Sequence, residues 1–521
     1  MSVGTLHPES RRHNPSTRRW RVHALLASPA AGALLALTVL AAVLRFWRIG
    51  HQGFWFDEGN TAQLVHFSPG QMLGLIPQSE STPPLYYCVA WVWARIFGYG
   101  EAGLRSLSAL AGVAVVPVLY GAGSKLVSRR AGVVVAALAA CNPLLIWYSQ
   151  EARSYELLVL LSSLALLAFA HAREEPTTGR LAFWVLCAAT ALATHYYAVV
   201  AIVPQAIWLL AIHRDRRGVR VAVGMVALCG LALVPLAISQ SGTGNSSWIA
   251  PVPLGRRLSQ VAPQFLTGFQ LPAQSLLSAL AGALALGGLA LVLWRGDEHA
   301  RRAAIGVGGL VVSGVVLDLI LIAGGIDDLI TRNLLALWPA AALAVAVGLA
   351  TPRARLVGVL AAAALCAIGV TGAVAIALNR DYQRPDWRGV AQLLGPGPAP
   401  GSGARVILVQ HYRDLLPLSL YLSGLKFLPG RGALVRELDV VAFTSPPSGG
   451  FCWWGTACNL WPSTMQASYP IAGFRAVRRR HIHQFTVLRM VSGSPVLVTP
   501  QGVTHLLRTT RLRNDGLLLQ R

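Results

Sequence analysis

Asp57 and Glu58 stand side by side in the run Phe54-Trp55-Phe56-Asp57-Glu58-Gly59-Asn60. Adjacent carboxylates among aromatic side chains, close to an apolar run, are partly shielded from water, and shielding makes a carboxylate a more capable proton acceptor. Asp57 equally suits the N-cap of a following helix, since Asp is a favoured capping residue. A second concentration of polar groups is Trp147-Tyr148-Ser149-Gln150-Glu151-Ala152-Arg153-Ser154-Tyr155. Arg153 carries a planar donor fork that matches phosphate oxygens. The competing reading is a solvated Glu151–Arg153 pair, which contributes little. His195-Tyr196-Tyr197 forms a third turn, where a lone His is either a hydrogen-bonded interfacial residue or a functional one. Asp327-Asp328 with Arg332, and Arg384-Pro385-Asp386-Trp387-Arg388, follow. Asp318 lies within an apolar run, where an ionisable residue is a functional candidate by default.

Several chemistries lack their motifs. The chain has no Asp-x-Asp, no phosphate-binding Walker loop and no dinucleotide-binding glycine fingerprint. His481-x-His483 alone is weak support for zinc. No cofactor is expected, no metal ligands are assigned, and a divalent metal has no supporting motif.

The elements that must position these groups are set by composition. The 521 residues are 54% hydrophobic and 12% charged, about half the charge of a soluble domain, which carries about 25%. Mean hydropathy is +0.53. A net charge of +23 would suit nucleic acid, but the basic residues sit in short clusters between apolar runs, as topology selection leaves them. No aromatic-basic interleaving accompanies them, so no nucleic-acid partner is expected. Apolar runs at 24–44, 104–122, 131–147, 155–171, 181–193, 196–212, 221–238, 274–294, 303–323, 333–350 and 355–378 each approach the roughly 20 residues a span needs. The run at 83–98 is short and opens with Pro83-Pro84. The basic segments Arg11–Arg21 and Lys125–Arg130 both belong inside, so an even number of crossings separates them. That parity lays 83–98 along the membrane surface, with Trp91 and Trp93 at headgroup level.

The sequence therefore predicts an all-α polytopic bundle of about eleven transmembrane helices. Residues 1–23 form a basic cytoplasmic N-terminus. The membrane module spans 24–378 and includes an outer loop, 45–103, with interfacial helices. Residues 379–521 form a small extracytoplasmic α/β or α+β domain, with strands at 405–410, 434–443 and 485–491 and a helix at 415–422. The short runs at 181–193 and 196–212 also fit one bent helix. In the oxidising outer compartment Cys452 and Cys458, with five residues between them, are expected to pair as a disulfide.

Taken together, the motifs resemble the glycosyltransferase-C superfold, and within it the protein-mannosyltransferase and aminoarabinose-transferase group that uses polyprenyl-phosphate sugars. The resemblance rests on Asp57-Glu58 after the first span, Thr82-Pro83-Pro84-Leu85-Tyr86-Tyr87, Glu101-Ala102-Gly103-Leu104-Arg105-Ser106, Asn142-Pro143 with Trp147–Arg153, Arg332-Asn333-Leu334-Leu335 with Pro339, and Arg384-Pro385-Asp386-Trp387-Arg388. It covers roughly residues 24–390. It implies an inverting transfer of a mannose-like or pentose sugar from a polyprenyl-phosphate donor to a glycan, lipid or protein acceptor at the outer face of the plasma membrane. By this resemblance Asp57 is the catalytic base with Glu58 beside it. Arg105, Gln150, Glu151, Arg153, His195, Tyr196 and Arg332 are the candidates for donor phosphate and sugar. Asn333 departs from the family, which often carries Tyr at that place. A flippase or permease for lipid-linked sugars, or a catalytically silent scaffold, are the competing classes.

Overall fold

A computed structural model describes residues 29–409, 415–443, 469, 471–503 and 516–521. The basic N-terminus and the expected Cys452–Cys458 bridge lie outside the described residues.

The first apolar run is helix α1 (Pro29–Phe46), and three helices follow in the loop after it, α2 (Phe56–Leu64), α3 (Pro69–Ser79) and α4 (Leu85–Phe97). The bundle continues with α5 (Glu101–Leu126), α6 (Arg129–Cys141), α7 (Pro143–Ser149), α8 (Tyr155–Glu174), α9 (Thr178–Thr194), α10 (Val199–Ile212) and α11 (Arg217–Ser241). Then come α12 (Leu254–Thr267), α13 (Gln274–Arg295), α14 (Glu298–Ala323), α15 (Trp338–Leu349) and α16 (Arg355–Leu378). Among the described residues seven helices (α1, α5, α8, α11, α13, α14 and α16) are long and apolar enough to cross a membrane, and the bent pair α6–α7 makes an eighth. Helices α9, α10 and α15 are apolar but shorter. Leu228, Leu231 and Ile238 on α11, and Ile305 and Val312 on α14, are exposed. Water would penalise such surfaces, whereas lipid tails solvate them. Close approach inside the bundle depends on small residues, and a Cβ at Gly348 would fall 1.7 Å from the Gly288 carbonyl oxygen.

Residues 131–147, expected as one continuous span, turn by 57° at Asn142-Pro143. Pro143 has no N–H to continue the helix, and Asn142 Oδ1 accepts from Leu145 N at 3.0 Å to start α7. The carbonyls left open at the end of α6 are met from another chain segment: Arg45 donates to Ala139 O at 2.9 Å and Ala140 O at 3.0 Å. The tie is reciprocal. Gln150 Nε2 donates to Arg45 O and Trp47 O, both at 3.0 Å, and so closes the end of α1. The runs at 181–193 and 196–212 form two helices, separated by an extended His195 and a short 3₁₀ turn at Tyr196–Ala198.

Past α16 the chain forms α17 (Trp387–Leu394), β1 (Arg405–Val409), α18 (Leu415–Ser419), β2 (Lys426–Phe427), β3 (Ala433–Phe443), β4 (Arg475–Ile482), β5 (Phe485–Val498), α19 (Pro500–Val503) and β6 (Gly516–Gln520). The six strands make one sheet in the order β2-β6-β1-β3-β5-β4, with β1 and β3 parallel and the other pairs antiparallel. Strand β1 is buried on both faces, which is why Val406-Ile407-Leu408-Val409 reads as an unbroken apolar run rather than an alternation. Val390, Leu394 and Leu418 from α17 and α18 pack on the face carrying Ile407 and Val409. Strand β4 was not anticipated: its exposed Arg475, Arg478, Arg479 and Arg480 hide a strand behind a charge run.

Candidate functional site

Helix α2 carries the two adjacent carboxylates, and its first turn separates their tasks. Glu58, not Asp57, serves the helix start, accepting from Trp55 N at 3.5 Å. Glu58 also accepts from Ala152 N at 2.8 Å and from Arg105 through both oxygens, at 2.7 and 2.6 Å. Burial drives its pKa up, but the Arg105 guanidinium beside it and these hydrogen bonds hold the carboxyl below the ordinary range. All five N–H groups of Arg105 are engaged: the remaining three reach the carbonyls of Ile49 (3.0 Å), Gln52 (2.7 Å) and Gly53 (2.9 Å). Neither residue keeps capacity for a substrate. Glu58 and Arg105, expected as a catalytic group and a phosphate ligand, are bound to each other here, and together they fix the segment entering α2.

Asp57, one residue earlier, points the other way. Its Oδ2 accepts from Arg332 Nη1 at 2.8 Å, across 275 positions of sequence. Arg332 lies beside the rings of Tyr155 and Trp248, at 5.8 and 5.6 Å from their centroids, a placement that favours a cation. Arg153 forks onto Glu80 at 3.0 and 2.9 Å and reaches Asp57 O at 3.3 Å. The surface pairing of Glu151 with Arg153 does not occur. Glu151 Oε2 instead accepts from Arg384 Nη2 at 3.1 Å, and Arg384 also donates to Trp147 O and lies 4.0 Å from the centre of the Trp147 ring.

Four carboxylates and four guanidiniums thus meet in pairs: Asp57–Arg332, Glu58–Arg105, Glu80–Arg153 and Glu151–Arg384. Burial sorts them. Side-chain exposure is 12% for Asp57 and 21% for Arg332, against 1% and 0% for Arg105 and Glu58 and 1% for both Arg384 and Glu151. Arg153 is 9% exposed and its partner Glu80 1%. The Asp57–Arg332 pair is the more open one, and the other three are buried around it. Burial raises the Glu80 carboxyl against the pull of Arg153. Burial likewise pushes Glu151 up to about 7, assisted by the charges of Glu58 and Asp57 and opposed by Arg384. Glu151 Oε1 accepts no hydrogen bond among the described residues.

Three further candidates prove to be ties. The Gln150 amide, expected as a sugar or phosphate contact, is engaged by the end of α1. His195 Nδ1 accepts from Tyr197 N at 3.2 Å. Burial, with Arg332 and Arg153 nearby, lowers its pKa to about 3 and keeps the ring neutral. Tyr196 donates to Gln240 Oε1 at 2.8 Å, and Gln240 in turn holds the Ile76 and Thr82 carbonyls. His195 Nδ1 and the Tyr196 hydroxyl are thus both engaged at this turn. Asp318 is buried within α14, outside this cluster. Glu80 and the pairing role of Arg384 were missed. The signal for Glu80 was a lone acid two residues before Thr82-Pro83-Pro84 in a loop otherwise poor in charge. Among the described residues no group of three His, Cys, Asp or Glu side chains is placed to hold a metal ion.

The helices define the class: the chain is a multi-pass membrane protein, similar in fold to enzymes of the glycosyltransferase-C type. Residues 81–239 match the family described as dolichyl-phosphate-mannose-protein mannosyltransferase. Among solved structures the chain is similar to ArnT from Cupriavidus metallidurans in the apo state, at 13% identity and a TM-score of 0.54 over 89% of this chain and 98% of that one. ArnT bound to undecaprenyl phosphate gives 15% identity and a TM-score of 0.50, covering 88% and 98%. The Archaeoglobus fulgidus oligosaccharyltransferase in the apo form gives 12% and 0.45, covering 75% and 64%. At these identities the likeness is one of fold. No curated protein matches the chain by sequence.

Proposed function

We propose that this protein is an inverting glycosyltransferase that takes a mannose-like or pentose sugar from a polyprenyl-phosphate donor. The observation that carries the reading is the Asp57–Arg332 pair, whose side chains are the more open ones among four otherwise buried ion pairs. In the reaction the Asp57 carboxylate takes the proton of an acceptor hydroxyl. The acceptor oxygen forms a bond to the anomeric carbon as the bond from that carbon to the phosphate oxygen breaks. The electron pair leaves on the lipid phosphate, and Arg332 stabilises the charge that develops there. Glu58 and Arg105 hold α2, while Glu80 and Arg153 hold the Asp57 backbone. The match to the mannosyltransferase family over 81–239, and the likeness to an ArnT that binds undecaprenyl phosphate, support a lipid-phosphate donor.

The sidedness in this reading comes from the charges. With α6–α7 as one crossing and α9, α10 and α15 crossing too, there are about eleven spans. In this reading the cluster and the sheet domain lie outside the plasma membrane. An impermeant thiol reagent should reach cysteines introduced at Gly242 and Gly401 but not at Gly218, and labelling at Gly218 from outside would overturn that arrangement. The activity is tested by incubating purified protein with polyprenyl-phosphate mannose or a polyprenyl-phosphate pentose and candidate glycan, lipid and protein acceptors. The expected result is a glycosylated product of inverted anomeric configuration with release of polyprenyl phosphate. A product of retained configuration, or no release with any donor, would refute the mechanism.

A further inference from the structure

The C-terminal domain reaches back onto the helix that carries Asp57. Gly59, on α2, faces α18: a Cβ there would lie 3.3 Å from Leu416 Cβ and 3.4 Å from Pro417 N. Gln63, one turn on, donates to Ser419 Oγ at 2.7 Å and Leu416 O at 3.3 Å. Just before α2, the Phe54 N–H donates to the Tyr421 hydroxyl at 2.6 Å, and that hydroxyl donates to Glu101 Oε1 at 2.7 Å. Arg388, from α17, donates to the same Glu101 oxygen at 3.3 Å and to the His51 carbonyl. A Cβ at Gly53 would meet Arg388 Cβ at 2.9 Å and the Tyr421 hydroxyl at 3.2 Å. The segment 49–55 is therefore gripped twice. Arg105 holds its carbonyls from within the bundle, and Tyr421 holds the Phe54 N–H from the sheet domain.

We propose that Tyr421 is a positioning residue, through which the C-terminal domain sets the place of Asp57 relative to Arg332. The inference rests on the reading of Asp57 as the base. Asp57 lies three residues after Phe54 and two before Gly59, so both contacts with the sheet domain flank it directly. Its carboxylate has one partner among the described hydrogen bonds, Arg332. The contacts to Tyr421, Leu416 and Ser419 add a constraint from the sheet domain to those that Glu58–Arg105 and Arg153 place on the helix from within the bundle. A base displaced by about 1 Å loses rate steeply, on the order of 10²-fold, while Arg332, which faces the donor phosphate in this reading, makes no contact with Tyr421 among the described hydrogen bonds. Loss of the Tyr421 hydroxyl is thus expected to act on turnover rather than on donor affinity.

The experiment compares wild type with Tyr421→Phe, Gln63→Ala, Asp57→Asn and the double variant Asp57→Asn/Tyr421→Phe. Tyr421→Phe keeps the ring against the buried clusters of α2 and α17 but removes both hydrogen bonds. The expected result is kcat lower by about tenfold with donor KM within about twofold, and a smaller loss of the same kind for Gln63→Ala. In the Asp57→Asn background the added Tyr421→Phe change should have no further effect, because it acts only through that carboxylate. Amide hydrogen exchange over residues 53–63 should quicken in Tyr421→Phe, a readout that needs no turnover at all. If Asp57→Asn itself keeps full activity, the catalytic reading falls and the exchange result alone judges the grip. If Asp57→Asn is inactive while Tyr421→Phe has wild-type kcat, or exchange over 53–63 is unchanged, the positioning role is refuted. A rise in KM with kcat unchanged would also refute it.

Discussion

Replacing Asp57 by Asn removes one proton acceptor and changes almost nothing else. The Asn side chain has nearly the same shape, and its carbonyl oxygen can still accept from Arg332 Nη1, now at 2.8 Å from the carboxylate. The stability change has two contributions. Asp57 lies in the first turn of α2, where a negative charge contributes about 0.3–1 kcal/mol through the helix dipole. The ion pair with Arg332, partly exposed, contributes about 0–1 kcal/mol. Together these predict a loss of about 2 kcal/mol at most, read as a melting shift of a few degrees in detergent. The rate loss is expected to be larger. Removing a general base costs about 10²–10⁴ in turnover, equivalent to about 2.7–5.4 kcal/mol of barrier. Donor affinity should change little, because the substitution leaves Arg332 in place. The assay is release of polyprenyl phosphate at saturating donor, alongside thermal unfolding of the same preparations. Turnover within threefold of wild type would refute the assignment of the base. A melting loss large enough to account for the missing activity would refute the separation between α2 as scaffold and Asp57 as reagent.

The neighbouring carboxylate should behave in the opposite sense. Glu58→Gln breaks a fully buried pair and leaves Arg105 uncompensated, a loss of about 3–5 kcal/mol, so the variant should accumulate poorly and melt much lower. Gln150→Ala strips the partner from the Leu44, Arg45 and Trp47 carbonyls. It is expected to destabilise by about 1–3 kcal/mol with donor KM unchanged, and a selective rise in KM would restore Gln150 as a donor ligand. Glu151 has a folded-state pKa raised to about 7 from an ordinary value of 4.5, so the folded state holds its proton more tightly. Its contribution to stability is fully present below about pH 4.5 and is lost as pH rises through about 7. Glu151→Gln should flatten the fall in melting temperature across that window, and an unchanged slope would contradict the assignment.

The bundle was legible because lipid imposes long apolar runs, and charge clusters between them survive in the sequence as Lys125–Arg130 or Arg353–Arg355. The surface helix at 83–98 and the strands at β1, β3 and β5 could also be read, from their apolar residues, whereas the helices before it in the loop were expected only through the family resemblance. Strand β4 could not. It sits at the sheet edge with its arginines exposed, and an edge strand needs no apolar pattern on its open side. The bend at Asn142-Pro143 was hidden by an apolar run that continues through it, although Pro143 marked the place. In the site, residue type identified Asp57 and Arg332, but not which charges meet. Glu58 looked as reactive as Asp57 because sequence spacing does not say that Arg105, 47 positions on, folds under one and not the other. Gln150, Glu151 and Arg153 looked like one polar turn facing one ligand. Each reaches a different partner, because successive residues of a tight turn point in different directions.

The reciprocal tie between Arg45 and Gln150 has a consequence for how the chain is made. Gln150 is synthesised 105 residues after the carbonyl it caps at Arg45, and translation proceeds at about 5–20 residues per second. For roughly 5–20 s, then, the first span exists without the groups that complete it. Its last carbonyls have no amide to accept from, and Arg45 has no helix end to donate to. During that interval a long basic side chain at a helix terminus does best by reaching toward the headgroups. Only when α6 and α7 arrive, with the break at Pro143 freeing carbonyls of their own, can Arg45 turn inward and Gln150 close α1. The bend in the later span is therefore what lets the earlier one finish, and the first crossing is seated by a residue the ribosome has not yet read when it enters the membrane.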